Sequence, residues 1–214
     1  GYLLIDKEKM SKSLGNFLTA RAALEAFPAR AIRFFMLSAH YRSPINFSEE
    51  SLHQARAAMD RMDNCWSDLR YAAASRKKGE TAGGKETAAR FADLEEKFRD
   101  VMDDDFNTAG ALGVLFDGVK MVNTYLKENE TLDPAVLGAA ETFFLKIDSV
   151  MGLLPSETAD EGEEALEIEK LIAERNEARK NKDFKRSDEI RDELAERGII
   201  LEDTPDGTKW KKKA

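Results

Sequence analysis

Residues 49–75 read EESLHQARAAMDRMDNCWSDLRYAAAS, and within them Leu52, Ala55, Met59, Met62, Trp66 and Leu69 recur at steps of three and four. That period puts the six side chains on one face of a long α-helix. Ser48 ahead of Glu49 and Glu50 has the chemistry of an N-cap followed by first-turn acids. The same period returns at Phe91, Leu94, Phe98 and Met102, and again at Leu112, Leu115, Phe116, Val119, Val122 and Leu126. Asp133-Pro134 opens a further helix running to about Val150, and Asn107 or Thr108 is placed to cap the helix before it. Amphipathic helices joined by short connections bury their faces best as an antiparallel bundle, so the chain is read as mainly α.

On the N-terminal side, residues 2–5 read as a short strand, and 19–40 as helix interrupted at Pro28. The run 32–37 is apolar enough to be buried on most sides, and residues 41–44 end it. Residues 79–84 read as a mobile turn. On the C-terminal side, 155–165 (PSETADEGEEA) has the composition of a linker. Residues 166–181 and 184–197 then read as a helical hairpin, stopped by Gly198. Strand, turn and strand follow at 199–201, 203–207 and 208–211. This small α+β unit must draw its core from Leu171, Phe184, Ile190, Leu194, Ile199, Leu201 and Trp210. The divisions expected are 1–46, 47–154, a linker at 155–165, and 166–214.

Composition narrows the function. The 214 residues carry a net charge of −8, with 42% hydrophobic and 35% charged residues, which disfavours broad nonspecific nucleic-acid binding but not binding through a local patch. Residues 1–45 hold seven Lys/Arg against three Asp/Glu, and Lys209, Lys211, Lys212 and Lys213 make the end basic again. One cysteine excludes a disulfide framework and points to a reducing compartment, with cytoplasmic location expected. No stretch has transmembrane length, and none has the layout of a signal peptide, so no membrane partner is expected.

The run Lys9-Met10-Ser11-Lys12-Ser13 concentrates two ammonium groups and two hydroxyls, the inventory for holding a polyphosphate. Lys12 can follow charge developing on phosphate, Lys9 can add to the field, and Ser11 and Ser13 can donate hydrogen bonds. A solvated basic loop is the plainer reading of the same residues. Cys65, His40 and His53 are read as structural or surface residues, and Asp103-Asp104-Asp105 as capping or interhelical rather than as a metal site.

Four collinear stretches, 9–17 (KMSKSLGNF), 33–47 (RFFMLSAHYRSPINF), 103–116 (DDDFNTAGALGVLF) and 198–211 (GIILEDTPDGTKWK), carry a resemblance. The first matches the signature loop of class I aminoacyl-tRNA synthetases, and together they resemble cysteinyl-tRNA synthetase over essentially the whole chain. The resemblance implies a C-terminal piece of such an enzyme, starting just before the loop: the edge of the catalytic region, a helical bundle on the anticodon side, and a small anticodon-binding unit. Its implied chemistry is cysteinyl-adenylate formation from cysteine and ATP with magnesium, then transfer to the cysteine tRNA, with Lys12 on the phosphates. The family's other nucleotide motif and its zinc ligands are absent from these residues, so the piece is expected to be inactive alone. A monomer is expected.

The resemblance also places Arg179, Asp188 and Asp203 where side chains read the anticodon bases, with Phe184 beside a splayed base and Trp210 a further contact. Arg42, Lys211 and Lys212 are expected on the tRNA backbone. Local alternatives stay open: Arg179 paired with Glu174 or Glu177, Asp188 with Arg191 or Arg186, Phe184 and Trp210 in the core, Arg42 in a structural salt link. Two other readings remain, a related cysteine ligase acting on a small-molecule amine and a noncatalytic helical tRNA-binding module. The first has no need of residues 166–214.

Overall fold

In a computed structural model, the chain forms two compact units, Gly1–Leu154 and Pro155–Ala214. The structure describes residues 2–5, 7–10, 19–155, 159–204 and 207–212, and for 159–166, 204, 211 and 212 the backbone alone. Ser11, Lys12, Ser13 and Lys213 therefore lie outside the described residues or side chains.

The first unit opens with a short sheet. Strand β1 (Leu3–Ile5) pairs antiparallel with β2 (Glu8–Lys9) and parallel with β3 (Ile45–Phe47), in the order β2-β1-β3. A parallel pair needs a crossover, supplied here by α1 (Ala20–Ala26) and α2 (Ala29–Leu37). Three residues are too few for a readable period, so β3 carried no strand expectation. Lys9, expected in a loop, is instead a strand residue opposite Leu4, with its Nζ 5.6 Å from the Tyr2 ring centroid. Pro28 separates the two helices from the N-cap position of α2, where its missing N–H breaks no intrahelical bond. The burial of α2 is narrower than its composition suggests: Ala31, Phe34 and Phe35 are buried, whereas Met36 faces solvent.

The bundle comprises α3 (Glu49–Ser75), α4 (Gly84–Asp103), α5 (Thr108–Glu128) and α6 (Pro134–Met151). Helix α3 begins with a capping box in which Ser48 and Ser51 exchange side-chain and backbone bonds. Its face of Leu52, Ala55, Met59, Met62, Trp66 and Leu69 is buried, as the period required. Helix α4 packs chiefly on α6 and α5, with Phe91, Phe143 and Phe144 almost wholly removed from water; each such ring contributes about 1.5–3 kcal/mol.

Polar ties fix the ends of these helices. Arg30 donates from Nε to the Leu153 carbonyl at 3.0 Å and pairs with Asp63, while Arg33 donates to the Met151 carbonyl. Both guanidiniums thus meet the carbonyl-rich end of α6, where positive charge is favoured. Asp133 caps α6 by accepting from Ala135 N, and it also accepts from Thr81 N at 2.9 Å. Gly79 N donates to the Leu132 carbonyl, and Leu132 N donates to the Lys77 carbonyl. The segment 79–84, read as a mobile turn, is therefore pinned to the start of α6; a long-range partner cannot be read from local composition.

The second unit contains α7 (Ala159–Lys180), α8 (Phe184–Glu196) and a hairpin of β4 (Ile199–Thr204) and β5 (Gly207–Lys212). Helix begins at Ala159, inside the segment read as a linker; the five acids of that segment suggested solvation, but Asp and Glu are tolerated and favoured near a helix N-terminus. Ile168, Ile172, Ile190, Leu194 and Ile199 form the core, with Leu171, Leu201 and Trp210 packed against it. Phe184, expected in that core, is 63% exposed.

Gly118 of α5 gives a sharp test of the packing, because a Cβ there would clash with Cε1 of the buried Phe143 ring. Gly118→Ala should destabilise the bundle by about 1–2 kcal/mol in urea unfolding, overpacking outweighing the better helix propensity of alanine.

Candidate nucleic-acid interface

Arg175 and Arg179 lie four residues apart on α7, so they project from one helix face. Asp203 on β4 stands against that face. Arg175 grips it in a fork, Nη1 to Oδ1 at 2.9 Å and Nη2 to Oδ2 at 3.1 Å. Arg179 donates from Nη1 to Oδ2 at 2.7 Å. Thr208, directly opposite Asp203 across the hairpin, donates its hydroxyl to Oδ1 at 2.9 Å and lies 3.1 Å from Asn176 Oδ1. The side chain of Arg175 is only 8% exposed, against 45% for Asp203 and 47% for Arg179. Among the described residues, the buried Nε of Arg175 has no partner.

The Arg175 fork, helped by the Thr208 hydroxyl and Arg179, holds the Asp203 carboxyl well below the usual carboxylate range, against the opposing effect of desolvation. Asp203 is thus a fixed anion joining the α7 helix to the hairpin. Arg175 had no place in the sequence reading. Its only signal was the i, i+4 spacing to Arg179, and that becomes informative only once β4 is known to face α7.

Arg179 ends α7, and Phe184 begins α8 across the turn at 181–183, where Lys182 takes φ 59° and Asp183 caps α8 through Arg186 N. Phe184 stands in solvent, and Asp188 follows one turn later on the same side of α8. Asp188 pairs with Arg191 at 3.2 Å, and Arg186 with Glu174 at 2.9 Å. The α7–α8 turn therefore carries Arg179 on one side and the exposed Phe184 on the other, and Arg179 reaches Asp203 on β4. Trp210 lies two residues along β5 from Thr208, and its Nε1 donates to Glu169 Oε1 at 2.8 Å. Lys211 and Lys212 end β5 opposite Ile200 and Ile199, with their side chains outside the described set.

In the first unit, Arg42 is committed to a cluster. Asp105 accepts from Tyr41 Oη at 2.7 Å and from Arg42 Nη2 at 2.9 Å, and His40 stacks on Tyr41. The Tyr41 hydroxyl and then Arg42 pull the Asp105 carboxyl below its ordinary value. Asp105 thereby ties the segment after α2 to the α4–α5 connection, while Asn107 caps α5 through Gly110 N. His53 pairs weakly with Glu49 at 3.5 Å. Cys65 is 1% exposed and directs its thiol at the Val119 carbonyl, 3.7 Å away. Burial pushes that thiol up to about 12, so it stays a protonated packing residue at neutral pH. Among the described residues, no group of three or more His, Cys, Asp or Glu side chains could hold a metal ion. Nor is any described helix long and apolar enough to cross a membrane.

Asp203→Asn should destabilise the second unit by about 1–3 kcal/mol at neutral pH, because the buried Arg175 loses half its fork. The depressed folded carboxyl means that the unfolded chain binds more protons through the acid range, so wild-type stability rises with pH there. The advantage over Asn should be complete above the ordinary carboxylate range and vanish as pH falls through the lower folded value. Urea unfolding followed by Trp210 fluorescence in a Trp66→Phe background measures it.

Three family models match the chain in succession: the class I (C) tRNA synthetase catalytic domain over residues 1–57, the DALR domain over 97–155, and the cysteinyl-tRNA ligase anticodon binding domain over 162–210. A cysteine–tRNA ligase of Geobacter sulfurreducens is 47% identical over all of this chain and 47% of its own length. That of Oceanobacillus iheyensis is 47% identical over 99% of this chain and 45% of its own. The chain thus spans about half the length of the curated relatives it matches. A LeuRS from Agrobacterium radiobacter, solved in a ternary complex with tRNA and LeuAMS, shares the fold over 72% of this chain and 21% of its own, with a TM-score of 0.58 at 18% identity. Matched by these three models in succession and by relatives 47% identical over essentially all of its residues, the chain belongs to the cysteinyl-tRNA ligase family.

Proposed function

We propose that this chain supplies the tRNA-binding half and the ATP-closing loop of a cysteine–tRNA ligase, and that its second unit reads the anticodon. The observation that carries the reading is the grouping of Arg179, Asp203 and the exposed Phe184 at one end of that unit. A guanidinium suits guanine, a carboxylate accepts from the amino groups of cytosine or adenine, and a solvent-facing ring can stack on an unpaired base. Asp188 adds a second acceptor on α8, half engaged with Arg191. Trp210, bonded to Glu169, is assigned to the hairpin's own packing and not to a base. Arg42 meets the tRNA backbone only by leaving Asp105, so Lys211 and Lys212 are the stronger backbone candidates.

In the ligase, Lys12, with Ser11 and Ser13, would hold the ATP phosphates while the cysteine carboxylate displaces pyrophosphate at the α-phosphorus; a magnesium ion accompanies the ATP. The family's zinc finds no fit among Cys65, His40 and His53, which packing, Asp105 and Glu49 already occupy. The partners are cysteine tRNA, ATP and cysteine, and the chain alone is inactive in adenylate formation and monomeric in the cytoplasm. A ligase for a small-molecule amine is disfavoured by the anticodon-type unit at 162–210.

Two experiments test the reading. The chain should bind cysteine tRNA more tightly than an anticodon-substituted transcript at one fixed salt concentration, and Phe184→Ala should weaken the native complex by about 1–3 kcal/mol without altering unfolding; equal affinities for the two transcripts refute anticodon readout. In a ligase of the relatives' length carrying this chain, Lys12→Ala should slow ATP–pyrophosphate exchange by about 100- to 1000-fold and leave tRNA affinity nearly unchanged. Unaltered exchange removes Lys12 from the phosphates.

A further inference from the structure

The Asp203 carboxylate is full. An ionised carboxylate offers about four acceptor positions, and four donors occupy them: Arg175 Nη1 and Thr208 Oγ1 at Oδ1, Arg175 Nη2 and Arg179 Nη1 at Oδ2. In this state no lone pair is left to accept from a base. The four donors are unequal. Arg175 is buried and binds through both ends of its fork, so its release would strand a charge out of water. Thr208 is buried and faces Asp203 across the strand pair, so although its one hydroxyl hydrogen can also turn to Asn176 Oδ1, 3.1 Å away, the position it holds on Oδ1 is closed to a base. Arg179 alone is half exposed, holds by a single bond, and sits in the last turn of its helix.

We propose that Arg179 is an exchangeable latch on Asp203, so that Asp203 accepts a base amino group only when Arg179 swings off it, which couples the recognition of two anticodon bases. The inference rests on the anticodon reading proposed above. Arg175 acts as the positioning residue: it keeps Asp203 charged and aimed whether Arg179 is present or not. With the latch closed, Arg179 still has its Nε and Nη2 edge without a hydrogen bond among the described residues, and that edge has the spacing to meet guanine. The closed form can therefore engage guanine alone, whereas engaging a second base at Asp203 requires breaking the Arg179–Asp203 bond. An RNA lacking the second amino group recovers that bond, so part of the penalty for losing the contact is hidden in the wild type.

The test removes the amino groups of the anticodon's adenine and cytosine one at a time, each replaced by hydrogen, in an anticodon stem-loop of cysteine tRNA. Dissociation constants are measured for the 214-residue chain and for Arg179→Ala and Arg179→Met at fixed salt and pH. Both variants leave the Arg175 fork and Thr208 in place, and thermal unfolding checks that the unit stays folded. For the base read by Asp203, the penalty for losing the amino group should be about 1.5- to fivefold larger in both variants than in the wild type, the worth of a half-exposed ion pair. An equal or smaller penalty in the variants overturns the latch while leaving anticodon reading intact. If no amino deletion weakens binding to any of the proteins, Asp203 reads no base, and the anticodon reading of this site fails with it.

Discussion

A five-residue apolar core cannot by itself dictate how a β-hairpin sits on two helices, and in the second unit the Arg175–Asp203 pair supplies the missing constraint. Apolar contacts are nondirectional, so Ile199 and Leu201 would accept several placements against α7 and α8. A two-pronged charged bond accepts only one. Replacing such a pair with apolar residues of similar volume often costs little stability, whereas removing one partner leaves a buried charge uncompensated. What the pair contributes is therefore placement: Asp203 is held where Arg179, near the end of α7, also reaches it. The same placement makes the half-exposed Arg179 and Asp203 dependent on a residue that is itself almost wholly buried.

The first unit has the opposite balance. Its apolar core is extensive, and directional bonds serve mainly to terminate elements. Arg30 and Arg33 close the C-terminal end of α6, Asp133 closes its start while holding Thr81, and Asp105 gathers Tyr41 and Arg42. Several of the charged residues that a surface reading would offer to phosphate are thus engaged within the fold. Arg33 is spent on a helix end, and Arg42 on Asp105.

Legibility in the sequence followed the range of the interaction. The face of α3 was readable because six residues on one period bury together against α2, α5 and α6, and the helix starts at Ser48, at Asn107 or Thr108, and at Asp133 were readable because a cap acts within three residues. Strand β3 was not, being three residues paired with a segment 42 positions away, Leu3 to Ile45. The 79–84 turn looked mobile because its anchors, Leu132 and Asp133, lie some fifty residues on. Phe184 looked like core because an aromatic beside a helix start usually is; its exposure depends on which side of α8 meets α7. Arg179 has Glu174 and Glu177 as near neighbours in sequence, yet its partner is Asp203, 24 residues away.

The sequence by itself determined the helical periods, the capped ends, the strand-turn-strand finish and, through four collinear motifs, the family. These are carried by local stereochemistry and by residue patterns that survive without a partner. Only the tertiary structure decided which charges are free to act. It buried Arg175, committed Arg42 and Arg33, tied the Trp210 indole to Glu169 and surrounded Asp203 with donors. The reason is physical: a charged side chain's availability is set by the partners within about 3 Å of it, and that list is fixed by packing between distant segments.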